Sequence, residues 1–125
     1  MIKMFKAMVI GLTVVAASLL VAPSSASASL SQCASGQFCA WSNDSFSGDF
    51  WGWYVNDSNW GNEGMADDAE SLFNDAVSSS SVPDNVMVYL HADWAGYDIC
   101  VNPGETYDAG MDDNDYSSHQ WVHGC

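Results

Sequence analysis

Two short acidic stretches hold the residues best suited to chemistry. Asp67-Asp68-Ala69-Glu70-Ser71 and Asp113-Asn114-Asp115-Tyr116-Ser117-Ser118 gather carboxylates, an amide and hydroxyls within a few positions. Such hard oxygen donors suit a divalent cation, and calcium takes six to eight of them. Neither stretch is an EF-hand loop, because neither has Gly at the sixth position or Glu at the twelfth. The competing structural reading is that these Asp and Ser side chains form Asx turns and caps.

Cys33, Cys39, Cys100 and Cys125 form the second chemical group. Four cysteines allow three pairings, and nearness in the chain favours Cys33–Cys39 and Cys100–Cys125. On the chain-entropy model these close loops of about 7 and 26 residues, worth about 2.4 and 3.5 kcal/mol. A zinc site from Cys33 and Cys39, completed by His119 and His123, is the alternative use of the thiols. No Gly-x-Ser-x-Gly, His-Glu-x-x-His or phosphate loop is present, and nothing groups His91, His119 or His123 with a nucleophile. The chain therefore reads as a protein that is not an enzyme.

Any such site needs a scaffold, and composition limits which one. The 125 residues include 16 Asp and Glu but only two basic residues, Lys3 and Lys6. Both lysines lie in a short basic start, followed by an apolar run over 7–22, Pro23, and Ala26-Ser27-Ala28 as a cleavage pattern. This is a secretory signal peptide over 1–28; a membrane anchor would need about 20 apolar residues and a stop-transfer flank. Residues 29–125 then form one domain with a formal charge of −16 and no Lys or Arg. Nucleic acids and anionic lipid surfaces are excluded as partners, since Lys and Arg are what bind phosphate. Disorder is disfavoured by fifteen aromatic residues. Cysteines in a secreted domain pair by default. Self-repulsion of so acidic a shell invites a bound cation outside the cell.

Turn formers recur every few residues, and short aromatic segments lie between them: 38–41, 50–55, 71–76, 86–90, 97–101 and 119–122. Val86, Val88 and Leu90 alternate with Met87 and Tyr89, as a strand buried on one face would. Asn102-Pro103-Gly104 is a turn. Trp51 and Trp53 point to one face of a strand and are expected in the core. Asn43-Asp44-Ser45 and Asn56-Asp57-Ser58 match the glycosylation sequon by coincidence. The chain is all-β.

A Ser-rich connector over 78–83 separates two similar halves, about 33–77 and about 84–125. Trp41, Phe46 and Gly48 in the first repeat as Tyr89, Trp94 and Gly96 in the second, an aromatic-x4-aromatic-x-Gly pattern. An acidic stretch follows each copy, which is what a duplicated fold leaves behind. Gly48 and Gly96 are placed where a tight hairpin needs a positive φ.

These paired motifs resemble the βγ-crystallin family, with its microbial calcium-binding members. The opening Cys33-Ala34-Ser35-Gly36-Gln37-Phe38-Cys39 leading into Trp41 resembles secreted peptidase inhibitors of the Streptomyces metalloproteinase inhibitor type, which share that fold. The resemblance implies two four-stranded Greek-key motifs packed as a sandwich, with the motif aromatics filling the space between the sheets. It implies calcium as cofactor, held where the loops share ligands: Asn114, Asp115 and Ser117 from the second, Asp68 and Ser71 from the first. Ala69 and Leu72 depart from the family pattern. The pair Asp115–Ser71 is therefore expected to make the stronger site, and Ser117–Ala69 the weaker.

The resemblance also implies an extracellular protease as partner, with a monomeric inhibitor presenting a rigid loop. Substrate-like inhibition of a trypsin-type enzyme is excluded, because its specificity pocket needs a basic residue. Proteases that accept apolar side chains remain, zinc metalloproteases among them. Candidate contact loops are Asn56–Gly64, with Trp60 exposed, and the Asp84-Asn85 turn. The alternative function is an extracellular calcium-binding structural or surface module without inhibitory activity.

Overall fold

In the computed structural model, which describes residues 29–108 and 115–125, the chain is all-β. The leader and Asn114 lie outside the described residues. β1 (Phe38–Asn43) and β2 (Ser47–Trp53) form a hairpin, then β3 (Ser71–Asn74) returns beside β1. β4 (Asn85–His91) and β5 (Ala95–Val101) repeat the hairpin, β6 (Thr106–Asp108) follows, and β7 (Ser118–Val122) returns beside β4. One sheet has the order β2-β1-β3-β6 and the other β5-β4-β7, all pairs antiparallel.

The expected four-plus-four arrangement is thus four plus three among the described residues. The second half lends β6 to the first half's sheet, where Leu72 faces Tyr107. The reciprocal strand shrinks to one bridge, Asp57 to His119. Its loss has a visible cause. Asn74 N donates to the backbone carbonyl of Glu105 (3.1 Å) on the complete side. On the other side Trp121 N donates instead to the Asn56 side chain (2.7 Å), so the backbone there has turned away from the sheet.

The alternation of β4 follows the sequence: Val86 and Val88 are fully buried, and Leu90 packs against the same core. In β1 both faces are covered. Phe38 and Ala40 enter the core with Trp53, Trp60, Leu72 and Tyr116. Cys39 and Trp41 face the other way and form a second cluster with Cys33, Phe46, Phe50 and Phe73. Trp41 and Phe46 therefore do not fill the space between the sheets. They close the outer face of the first sheet under the segment that begins the domain, where Trp41 Nε1 donates to Gln32 (2.8 Å).

Among the described residues no comparable segment covers the second sheet, and Trp94 is exposed, anchored by its Nε1 donating to His119 O (3.1 Å). Trp51 is exposed too, whereas Trp53 is buried. Among the described residues no helix is long and apolar enough to cross a membrane.

Both disulfides pair as chain proximity predicts, Cys33–Cys39 and Cys100–Cys125, with Cα atoms 5.9 and 5.6 Å apart. No cysteine is free, so the zinc alternative is gone.

Candidate functional site

The two acidic loops meet. Asp67 N donates to Tyr116 O (3.0 Å), and the Ser117 hydroxyl donates to Asp67 Oδ1 (3.1 Å). A backbone turn makes this possible: Asp67 sits at φ 54, a left-handed conformation that Asp tolerates better than most residues.

Strand register shows which residues of the loops correspond. Ser71 faces Trp41 across β1 and β3, and Ser118 faces Tyr89 across β4 and β7. Ser71 Oγ donates to Asn43 O (2.8 Å) and accepts from Phe46 N (3.0 Å). Ser118 Oγ donates to His91 O (2.6 Å) and accepts from Trp94 N (3.2 Å). Ser71 is therefore the counterpart of Ser118, not of Ser117. Each clamps the folded hairpin of its own half.

Shifted by one, Ala69 corresponds to Tyr116, and both are buried in the core. Asp68 corresponds to Asp115 and Glu70 to Ser117. The expected pairing of Asp115 with Ser71 thus places a ligand role on a fully buried hydroxyl already holding a turn. Ala69 is no defect in a metal loop, because its side chain belongs inside. A one-residue slip in a strand reverses every side chain's face, which is why the motif read in the wrong register looked damaged.

Four of the acids around the loops serve two tasks. Glu70 Oε2 accepts from Asp44 N (2.9 Å) and Asp108 Oδ2 from Ser45 N (3.1 Å), so both carboxylates bind amides at the first hairpin's tip. Asp67 and Asp115 instead line a cleft of about 460 Å³ with Leu90 and His91. Its side-chain oxygens are carboxylates, with the Ser117 hydroxyl bonded to Asp67, and hard oxygens are what calcium takes. Among the described residues no group of three or more His, Cys, Asp or Glu side chains is gathered around one point. Any ion here would draw on backbone carbonyls and water as well.

Of the contact loops expected from sequence, Asn56–Gly64 lies largely at the surface, but its tryptophan does not. Trp60 is fully buried, stacked on Trp53 with ring centroids 4.7 Å apart. Its Nε1 donates to His119 Nδ1 (2.9 Å), which fixes the tautomer: His119 Nε2 carries the proton and donates to Val55 O (2.9 Å). Burial lowers the His119 pKa to about 4, against smaller opposing effects of the Val55 hydrogen bond and the Asp57 charge. Asp84 and Asn85 are buried as well. Asp84 Oδ2 accepts from Ser79 N (2.6 Å), and its backbone carbonyl accepts from Asn74 Nδ2 (2.8 Å).

Beside them lies an open apolar groove of about 510 Å³. Sequence patterning missed it, since Tyr54, Val55, Val77 and Val82 sit in segments that alternate with nothing. The available signal was a valine on each side of the serine run over 78–81.

The model of one protein family, described as peptidase inhibitor family I36, matches residues 26–101. No curated protein matches in sequence. Among solved structures, a βγ-crystallin from Ciona intestinalis aligns at TM-score 0.56 and 20% identity, over 70% of this chain and 100% of that one. A βγ-crystallin from an archaeon aligns at 0.53 and 19%, over 71% and 100%. The N-terminal domain of protein S aligns at 0.51 and 19%, over 67% and 92%. At these identities the likeness establishes the fold.

Proposed function

Because the chain belongs to peptidase inhibitor family I36, we propose that it is a secreted inhibitor of an extracellular peptidase whose cleft takes apolar side chains, and that calcium steadies it. Family membership carries the first part: the family is one of peptidase inhibitors rather than enzymes, and its partner is a protease. The chain's own composition supports the choice of target. With Lys absent beyond the first six residues and no Arg anywhere, nothing in the domain can satisfy a peptidase pocket that demands a basic side chain. Zinc metallopeptidases of the thermolysin type and serine peptidases of the subtilisin type both accept apolar residues. Two disulfides and a sandwich of short strands supply the rigidity that lowers the entropy cost of binding.

Measuring residual peptidase activity after incubation with the purified protein tests this directly. Inhibition of either type at micromolar protein is expected; loss of neither activity refutes the reading. Secretion is supported by the leader pattern over 1–28 and by the two disulfides. Finding the protein in the medium with Ser29 as its first residue would check it.

For calcium, the support is the donor set at the meeting of the loops, Asp67, Asp115 and Ser117, with Asp68 and Asn114 adjoining in sequence. When bound there, the ion would tie the two halves and offset repulsion between their carboxylates. One site is favoured over two, because Ser71 is committed to its hairpin and Glu70 to Asp44 N. Calorimetric titration should give a stoichiometry near one; no heat from the folded protein removes the proposal.

A further inference from the structure

The turned-away segment that should have completed the second sheet has an unusual construction. The segment is held from beneath at successive residues, by backbone at Val55 and Asp57 and by side chain at Asn56. Val55 O accepts from the buried His119 side chain, Asn56 Oδ1 accepts from Trp121 N, and Asp57 exchanges both backbone hydrogen bonds with His119 (2.9 and 3.2 Å). Trp53 Nε1 donates to Asp57 Oδ2 (2.8 Å) at the same end.

The side chains of Tyr54 and Val55, by contrast, stand out in solvent. Opposite them across the groove stand Val77 and Val82, on a connector tied down through Asp84 and Ser79. These four residues are 55–71% exposed and account for half of the large exposed hydrophobics among the described residues.

Resting on the assignment to a peptidase inhibitor, we propose that the Tyr54–Val55 segment, with Val77 and Val82 across the groove, is the surface that enters the apolar cleft of the target peptidase. Three observations carry this. Exposed apolar residues gathered on one patch mark interaction sites, whereas single ones need no explanation. The patch exposes no charge on a domain that is otherwise strongly acidic: its single carboxylate, Asp84, is buried and hydrogen-bonded. An acidic surround steers the patch toward a partner with a basic rim and an apolar interior, and repels a second copy of the same chain. The backbone beneath it is fixed before any partner arrives, so little ordering entropy is left to oppose binding.

His119 is a positioning residue for this surface. It touches no partner and holds the Val55 carbonyl from inside the core. The Tyr54 ring lies over Gly36, whose absent Cβ would come within 3.6 Å of it.

The test uses the whole secreted protein against a thermolysin-type and a subtilisin-type peptidase. Val55→Glu and Val82→Glu each place one carboxylate in the patch, and Tyr97→Glu places one on an exposed strand elsewhere. Each variant's thermal midpoint is compared with that of the parent. The inhibition constant should rise at least about tenfold for the two patch variants and stay within about twofold for Tyr97→Glu, with midpoints alike. If the parent inhibits and the patch variants inhibit equally well, the surface assignment falls while the inhibitor reading stands. If the parent inhibits neither peptidase, both fall. A parent that sediments as a dimer and becomes monomeric as Val55→Glu would put a second copy in the groove, and that too overturns the proposal.

Discussion

His119 and the serines show how single side chains set the limits of this protein. Folding requires neutral His119, because its Nδ1 must accept from Trp60 and no solvent reaches it. Its folded pKa of about 4 lies below the 6.5 of the free side chain. The unfolded chain therefore takes up the proton first as acid is added. The associated stability is complete above pH 6.5 and is lost as the pH falls from there towards 4. At pH 5 the loss should be about 2 kcal/mol by linkage. Carboxylates titrate mainly below that, and neutralising them relieves repulsion, so the effect of His119 is cleanest between pH 6.5 and 5. Urea unfolding at those two values should show it, and His119→Gln should flatten the difference; equal slopes in parent and variant would refute the account.

The hydroxyls make a second prediction at this scale. Ser71→Ala and Ser118→Ala each release a hairpin clamp and should cost about 1–3 kcal/mol with or without calcium. Ser117→Ala should barely move the midpoint in chelator but abolish most of the rise produced by millimolar calcium. The serines were legible as hydroxyls near acids. Which of them clamp a hairpin could be learned only from the strand register, because the second loop offers Ser117 and Ser118 side by side and the first offers Ser71 alone.

At the scale of elements, the two hairpins were visible in sequence and their surroundings were not. Aromatic-x4-aromatic-x-Gly describes backbone demands that the local chain must meet by itself. Phe46 and Trp94 take φ of 57 and 58, and Gly48 and Gly96 take 85 and 70. Both glycines are strained by any Cβ at such φ, but their neighbours differ. A Cβ at Gly48 would lie 2.3 Å from Ser42 Oγ, and at Gly96 3.0 Å from His91 Cδ2, the side of an exposed ring that can move. Gly48→Ala should therefore destabilise more than Gly96→Ala, each by more than about 1 kcal/mol, the usual strain of such a conformation. Chemical unfolding of the two variants decides it, and the reverse order would contradict the packing described.

The covering of Phe46 and the exposure of its counterpart Trp94 were beyond local reading. Equivalent positions in a repeat have the same backbone, yet only the first sheet lies under the segment tied by Cys33–Cys39. The short reciprocal strand was hidden for a related reason. Asp57 pairs with a residue 62 positions away, and nothing in 54–57 alternates.

For the whole molecule, charge and cross-links oppose one another. A domain with 16 acids and no Lys or Arg repels itself, so raising sodium chloride should raise the thermal midpoint by screening. Calcium should raise it further at matched ionic strength, by about 2.7 kcal/mol at a concentration a hundred times its dissociation constant. Equal midpoints at matched ionic strength would mean screening alone. Removing the larger loop closure as Cys100→Ser with Cys125→Ser should cost up to about 3.5 kcal/mol on the chain-entropy model, more than removing Cys33–Cys39.

Composition, alternation and repetition determined by themselves that this chain is all-β, cross-linked, acidic and duplicated, because each is a local or summed property that no packing can reverse. Only the tertiary structure decided which serine is a clamp, which tryptophan is core and which segment stands out in solvent. Those outcomes depend on register between strands far apart in the chain, where a shift of one residue exchanges inside for outside.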